Sequence, residues 1–146
     1  MLKEEKTRIL LKIDEMERYV EELEDMLPEE KEYLKNLVKK RACEKTIELA
    51  IESMIDVCAM LVSFQKLGMP TDEDNIFDIL VRKKVIHKNM SEKLRAMKGF
   101  RNIIVHKYGE VKDELTYEFL STKLNDFKEF KETCIKYLKK NITIKK

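Results

Sequence analysis

Residues 47–64 read IELAIESMIDVCAMLVSF and carry two adjacent apolar stripes at helical spacing. Apolar residues that recur at three- and four-residue steps lie on one face of an α-helix, so this stretch is predicted to be helical. Because the two stripes form a wide apolar arc, the helix must be covered on more than one side. We therefore expect it to be both the central helix of a bundle and part of a subunit interface. The stripes consist of Ile47, Ile51, Met54, Cys58 and Leu61, and of Ala50, Val57 and Phe64.

The remaining sequence also favours helices, because its 146 residues include only three glycines and two prolines. The length suits one domain. The sequence thus predicts a single all-α domain over residues 1–146, an up-and-down bundle of four to five helices that dimerises through its long helices, with residues 139–146 as a basic flexible tail. The predicted helices run from Leu2 to about Met26, from Pro28 towards Gly68 with a break left open, from Thr71 as N-cap to about Val81, from Ser91 to about Lys107 with Gly109 closing the helix, and from Asp113 as N-cap to about Leu138.

Positive charge is concentrated in residues 82–108, which hold nine Lys or Arg against a single acid, Glu92. Residues 1–33 are acidic, with twelve acids against six bases, and the net charge of the whole chain is only +2. A local basic block of this kind is what a phosphate-binding face requires. A solvated basic helix face would have the same charge pattern, so both interpretations stay open at this point.

Several other classes of protein do not fit the sequence. The longest charge-free run, residues 57–65, is much shorter than the ~18 apolar residues that a membrane span needs. The first 22 residues carry charges throughout and do not resemble a signal peptide, so we expect a cytoplasmic protein with no membrane partner. Cys43, Cys58 and Cys134 are odd in number and lie far apart beside apolar residues, so they are predicted to be core residues rather than bridges or metal ligands. We expect neither a cofactor nor a metal.

The stretch GFRNIIVHKY, residues 99–108, brings an arginine, a histidine and a tyrosine to the end of a predicted helix. Residues four apart lie on one helix face, so Asn102 and His106 are expected to point the same way, with Arg101 and Tyr108 on a neighbouring stripe. Structural roles fit the same residues. Arg101 could instead form an ion pair with an acid of the long helix, and His106 could be a capping or hydrogen-bonded residue. The acids considered for that ion pair are Glu44, Glu48, Glu52 and Asp56.

Residues 101–108 resemble the Arg-x4-His-x-Tyr motif of the HepT-like ribonuclease toxins, a family of the HEPN superfamily. Every defining position is filled. Residues 41–56, RACEKTIELAIESMID, also look like the long second helix of that family, and the likeness covers about residues 35–125. An isolated Arg-x4-His pattern has many chance matches. Its occurrence together with the Gly-Phe-Arg-Asn lead, the tyrosine and the long helix is much more specific.

The resemblance implies a helical homodimer, which could assemble further, in which two such motifs meet across the subunit interface and form a metal-independent endoribonuclease centre. It implies Arg101 and His106 as catalytic residues, with Asn102 in support. It also implies a partner, a minimal nucleotidyltransferase antitoxin that adds AMP to the motif tyrosine, here Tyr108. The basic block supplies secondary candidates for contacts with the RNA substrate, namely Arg95, Lys98 and Lys107.

The chemistry of these residue types suits that activity. Metal-free RNA cleavage by the 2′-hydroxyl needs a base, an acid and a cation. Histidine exchanges protons near neutral pH, and general acid–base catalysis commonly contributes ~10²–10⁴ in rate. The arginine fork can grip phosphate oxygens and stabilise the charge of the transition state. One motif histidine per chain cannot be acid and base at once, so two symmetry-related copies would have to share the work.

Two other functions remain possible for the same residues. The chain could be a non-catalytic accessory subunit that binds a minimal nucleotidyltransferase and holds its nucleotide or substrate on the basic face. It could also be a purely structural helical dimer. The second histidine, His87, lies in a basic connection and is expected to be a surface residue.

Overall fold

The computed structural model describes residues 1–106 and 112–141. These residues form seven α-helices and no β-strand, which confirms the predicted all-α class. The helices are α1 (Lys3–Met26), α2 (Glu30–Lys35), α3 (Leu37–Phe64), α4 (Glu73–Arg82), α5 (Lys88–His106), α6 (Asp113–Thr122) and α7 (Asn125–Asn141).

The core is built around α3, and α1 makes the most extensive packing against it. Both apolar stripes of α3 contribute to this core, and Ile47, Ala50, Ile51 and Met54 are fully buried. Each large apolar side chain that is fully buried contributes about 1.5–3 kcal/mol relative to an exposed one. The wide apolar arc is thus covered within one chain by α1, α4 and α5.

The long helix predicted from Pro28 towards Gly68 is two helices, α2 and α3, divided at Asn36. Asn36 has an extended backbone (φ −108°, ψ 99°), and its side-chain oxygen accepts a hydrogen bond from the backbone N–H of Lys39 at 3.0 Å. An asparagine that caps the next turn in this way offers the backbone an alternative to a continuous helix. The apolar periodicity of the sequence does not reveal this break, because the spacing of apolar residues continues across Asn36.

The last predicted helix is also divided, into α6 and α7, so the described residues hold seven helices where four to five were predicted. The side chain of Thr122 donates to the carbonyl oxygen of Glu118 at 2.6 Å, a back-bond that bends helices. The N-cap of α6 is Lys112 rather than Asp113, whose carboxylate accepts from Lys40 at 2.9 Å. Helix α7 continues to Asn141, so the predicted flexible tail does not begin at residue 139; residues 142–146 lie outside the described residues.

Helix α4 begins one residue later than predicted. Asp72, not Thr71, is the N-cap, and its carboxylate accepts from the backbone N–H of Asn75 at 2.8 Å. The Asn75 side chain in turn accepts from the backbone N–H of Thr71 at 3.1 Å. These local bonds fix where α4 starts and place the acids of its first turn next to α5, which packs against it.

Helix α5 begins at Lys88, earlier than the predicted start at Ser91. The carbonyl oxygen of His87 accepts the first helical hydrogen bond, from the backbone N–H of Ser91 at 3.1 Å. Ser91 is itself buried, so its hydroxyl belongs to the core side of the helix rather than to a cap. The predicted closure of α5 at Gly109 falls outside the described residues.

Two residues beyond the end of α3 and of α4, the chain has a lysine with a left-handed backbone. These are Lys66 (φ 53°) and Lys84 (φ 61°). At the first, the N–H of Lys66 donates to Ser63 and that of Leu67 to Val62, at 3.2 and 2.9 Å. This is the paired bonding of a Schellman motif, which usually has glycine at the left-handed position. The same motif closes α4 at Lys84.

The three cysteines are buried and free, as predicted from their apolar surroundings. Burial raises the pKa of the Cys134 thiol to about 12 and also raises the pKa of Cys43 and Cys58. None of the helices within residues 1–106 and 112–141 combines the length and the apolarity that crossing a membrane would require.

Candidate active site

The last two turns of α5 carry Arg101, Asn102 and His106. The Nη2 atom of Arg101 donates to the carboxylate of Glu73, on the first turn of α4, at 2.6 Å. Nη2 and Nε also donate to the side-chain oxygen of Asn102, at 2.9 and 3.1 Å. Because the Arg101 side chain is only 14% exposed, these bonds hold the guanidinium in a defined orientation. Nη1 has no hydrogen-bond partner among the residues that the structure describes.

The contact between Arg101 and Glu73 is one of several ion pairs between acids of α4 and bases of α5. Asp74 binds Arg95 at 3.3 Å and Lys98 at 2.9 Å. Asp78 forms a further ion pair with Arg95. The basic face of this part of α5 is thus largely neutralised by the acidic face of α4, and Arg95 and Lys98 are not unpaired cations.

His106 occupies the C-terminal end of α5 and is exposed. Within the part of the chain that the structure describes, no hydrogen bond or ion pair joins its imidazole to another side chain. A surface imidazole in this state is accessible to a ligand. The capping role that the sequence left open for His106 has no counterpart among these contacts. Lys107 and Tyr108, which follow in the motif, lie outside the described residues.

Aromatic packing holds this end of α5 against α6. The ring of Phe100, directly before Arg101, stacks on Phe119 with centroids 3.9 Å apart and planes within 6°. Aromatic pairs contribute ~0.5–1.5 kcal/mol beyond their buried area. Helix α6 is in turn attached to the start of α2, where the Tyr117 hydroxyl donates to the carbonyl oxygen of Pro28 at 2.7 Å. The site is therefore built on packed helices.

The structure brings Arg101 and Asn102 together and adds one residue that the sequence reasoning missed, Glu73. An ion pair for Arg101 was left open, but with acids of the long helix. Three of those four acids have other partners: Glu44 binds Arg41 at 2.8 Å, Glu48 binds Lys45, and Asp56 lies 3.7 Å from Lys12. The acidic run at residues 72–74 opening a short helix beside the basic block was the available signal.

Metal-ligating side chains do not gather in this region. Across residues 1–106 and 112–141, no group of three or more His, Cys, Asp or Glu side chains is placed so that it could hold a metal ion. The chemistry that the arrangement offers is that of an accessible imidazole and an oriented guanidinium near the end of one helix: proton exchange and the binding of a phosphate oxyanion.

Comparison with known proteins identifies relatives by sequence. The sequence profile of the family described as "Ribonuclease HepT-like" matches residues 16–134. The chain is 24% identical over 122 residues to the mRNA nuclease HepT of Shewanella oneidensis, covering 84% of this chain and 92% of the relative. It is 34% identical over 104 residues to a putative RNase of Archaeoglobus fulgidus, covering 70% and 74%.

The fold has a counterpart in a solved structure of a tri-AMPylated Shewanella oneidensis HEPN toxin in complex with an MNT antitoxin. The TM-score is 0.81 at 24% sequence identity, with 88% of this chain and 96% of the toxin chain covered. At this identity the structural likeness establishes the fold. The family profile covers most of the chain, including every helix from α2 to α6 and the Arg101 to His106 stretch. The chain belongs to the ribonuclease HepT-like family.

Proposed function

We propose that this chain is a metal-independent endoribonuclease and the toxin of a toxin–antitoxin pair, with Arg101 and His106 as its catalytic residues. Its family membership supports the activity, as do relatives described as an mRNA nuclease and a putative RNase. The observation that carries the proposal is the end of α5, where an exposed imidazole follows five residues after an oriented guanidinium. An imidazole can exchange the protons of metal-free phosphodiester cleavage, and a guanidinium supplies the cation that this reaction needs.

The proposed reaction begins when the 2′-hydroxyl of the RNA attacks the adjacent phosphorus. The 5′-oxygen leaves, so the products are a 2′,3′-cyclic phosphate and a 5′-hydroxyl. One imidazole accepts the 2′-hydroxyl proton and a second donates a proton to the departing oxygen. The guanidinium of Arg101 stabilises the negative charge that builds on the phosphate oxygens. In this proposal a homodimer supplies the two imidazoles, because each motif holds only His106.

The contacts of Arg101 fit a role in binding phosphate. Glu73 and Asn102 occupy Nη2 and Nε, so the guanidinium is oriented before substrate arrives. Nη1, which no described residue binds, would contact a phosphate oxygen. The adjacent carboxylate lowers the local positive charge, which weakens attraction for the RNA ground state. Because the guanidinium is already oriented, it does not have to move when negative charge develops on the phosphate in the transition state.

Cleavage by purified variants tests this proposal. Wild-type protein should cut RNA in the presence of EDTA, and His106→Ala and Arg101→Ala should each lower the rate by at least about 10² while remaining folded and dimeric. Arg18→Ala, on the exposed face of α1, removes an arginine elsewhere and should keep full activity. If the wild-type protein alone leaves RNA intact but still forms a complex with the nucleotidyltransferase, the non-catalytic accessory subunit is favoured instead.

The proposal includes control by a minimal nucleotidyltransferase antitoxin that transfers AMP to Tyr108. It is supported by the solved relative in which an AMPylated toxin is bound to an MNT antitoxin. An AMP group on Tyr108 would add a phosphate and a nucleoside two residues from His106, and would compete with RNA by charge and by volume. Incubation with the cognate enzyme and ATP should raise the intact mass by whole AMP units.

Tyr108→Phe should abolish that mass gain, and the matched variant Tyr19→Phe, on α1, should retain it. A mass gain that persists in Tyr108→Phe would remove Tyr108 from the proposal while leaving the nuclease chemistry untouched.

A further inference from the structure

A second cationic site lies at the opposite end of α5 from His106. It is an open cleft of about 560 Å³ between the end of α4, the start of α5 and α7. Four exposed lysines line it, namely Lys84, Lys88, Lys136 and Lys140, together with the exposed ring of His87. Among residues 1–106 and 112–141, no acidic side chain lines this cleft.

These four lysines differ from four bases farther along α5, all of which are paired with acids. Arg95, Lys98 and Arg101 on α5 are each paired with an acid of α4, and Lys93 is paired with Glu129. Among the described residues, none of the four cleft lysines takes part in an ion pair. Like charges gathered around one cavity repel each other, so an anionic ligand that binds among them relieves an existing cost.

The start of α5 adds to this positive field. The backbone N–H groups of the first turn of a helix carry partial positive charge. Here that turn begins at Lys88 and contains no acid that would offset it. His87 and Lys88 both line the cleft, so the helix end opens onto the same space as the lysines.

The character of the cleft favours a polyanion over a protein surface. Its apolar floor is formed partly by Val85 and Ile86, which are only 5% and 3% exposed and so offer little apolar area to a partner. Lysine is depleted in protein–protein interfaces. As a compact charge on a flexible stem it suits phosphates whose exact positions vary along a strand.

We propose that this cleft binds the phosphate backbone of single-stranded RNA, outside the catalytic centre, and so holds a long substrate on the enzyme. Lys88 and His106 are the two ends of α5, eighteen residues and therefore about 27 Å apart along the helix. One strand can contact both, whereas a mononucleotide cannot. This inference rests on the proposed ribonuclease function for the identity of the ligand.

The test measures RNA binding in a His106→Ala background, where the RNA stays intact. The probe is a fluorescent single-stranded RNA of about 20 nucleotides, longer than the ~4–16 nucleotides that single-strand-binding folds cover. Lys88→Gln, Lys136→Gln and Lys140→Gln are combined in one variant. The control combines Lys31→Gln, Lys35→Gln and Lys123→Gln, three exposed lysines elsewhere with the same total change of charge.

The cleft variant should bind the RNA at least about tenfold more weakly, and its plot of log affinity against log salt should be shallower by about 2, because each lost phosphate contact on a single strand contributes ~0.7 to that slope. The control variant should stay within about twofold of the parent. Equal affinity and slope in the parent and the cleft variant would overturn the proposal, as would equal losses in both triple variants.

Competition separates the RNA backbone from smaller phosphates. AMP and inorganic phosphate should fail to displace the RNA at concentrations where an unlabelled RNA of the same length succeeds. If AMP displaces it from the parent as efficiently as RNA does, the cleft is a nucleotide site and the proposal is wrong. Failure of the ribonuclease proposal has a different signature: wild-type protein that binds RNA through these lysines without cutting it.

Discussion

The guanidinium of Arg101 is held on one side by Glu73 and Asn102, so its orientation is set before any substrate binds. Small displacements of a catalytic group are costly, since a misplacement of about 1 Å can lower a rate by ~10². We therefore infer that Glu73 is a positioning residue, which acts through Arg101 rather than through contact with the RNA.

Substitutions at Glu73 should separate orientation from charge. Glu73→Ala should lower kcat for RNA cleavage about tenfold, because the guanidinium loses its strongest restraint. Glu73→Gln keeps an oxygen that can accept from Nη2 and removes a negative charge, so kcat should stay close to that of wild type while KM falls. Asp78→Ala, which removes an acid that pairs with Arg95 instead, is the matched control. Equal kcat in wild type and Glu73→Ala would reduce Glu73 to a structural role.

The hydroxyl of Tyr33 is fully buried and has no hydrogen-bond partner among the described residues. A buried hydroxyl without a partner costs ~1–3 kcal/mol. Burial raises the pKa of this phenol, consistent with the poor solvation of its oxygen. The ring of Tyr33, in contrast, makes an aromatic contact with Tyr117, with centroids 5.2 Å apart.

Tyr33→Phe should therefore increase the free energy of unfolding by about 1 kcal/mol, measured by urea denaturation. Tyr117→Phe is the contrasting variant, because it removes a hydroxyl that donates to Pro28; it should destabilise by about 1 kcal/mol. A destabilised Tyr33→Phe protein would mean that the hydroxyl is satisfied in solution.

At the scale of helices, the apolar periodicity predicted which segments are helical and where α1 lies. It left a break in the second helix open without placing it at Asn36, and it missed the break after Thr122. Both breaks depend on a polar side chain bonding to nearby backbone, an effect that the spacing of apolar residues does not encode. The helix ends near Lys66 and Lys84 could not be predicted from the sequence either. The left-handed position that closes a helix usually carries glycine, and here it carries lysine.

Lys66→Gly should stabilise the protein by about 1 kcal/mol, since a left-handed backbone costs an L-residue ~1–2 kcal/mol and costs glycine almost nothing. Lys128→Gly, in the interior of α7, should have the opposite sign and destabilise by about 1 kcal/mol. Thermal and urea unfolding of the two variants measure this. Destabilisation by both would show that Lys66 is not under strain.

At the scale of the whole molecule, sequence and structure agree on the all-α class, the buried cysteines and the central place of α3. The local spacing of the motif was enough to predict that Arg101 and His106 lie near the end of one helix, as they do in α5; their catalytic roles stay a proposal. Glu73 could not be predicted in the same way, because its contact with Arg101 depends on how α4 packs against α5 across the connection through residues 83–87. The cleft lysines come from α4, α5 and α7 and are brought together only by the fold.

The buried thiols make stability fall at alkaline pH. Below a pH of about 8.5 the thiols are protonated in both the folded and unfolded states and have no effect. Above it the unfolded state releases these protons first, because burial raises the folded-state pKa of Cys134 to about 12. The free energy of unfolding should then decrease as pH rises, by up to about 1.4 kcal/mol per pH unit for each such thiol.

Urea denaturation at pH 8 and pH 10 measures this decrease, and Cys134→Ala should show a smaller one than wild type. The same dependence in both proteins would mean that another group controls alkaline stability.

We have proposed that the RNA is cut by its own 2′-hydroxyl with the help of Arg101 and His106. This mechanism can be tested by mass spectrometry of the fragments of a synthetic RNA that has been incubated with the purified protein in EDTA. We predict fragments that end in a 2′,3′-cyclic phosphate paired with fragments that begin with a 5′-hydroxyl, and none from His106→Ala. Fragments with 5′-phosphate ends, or the same fragments from His106→Ala, would contradict it.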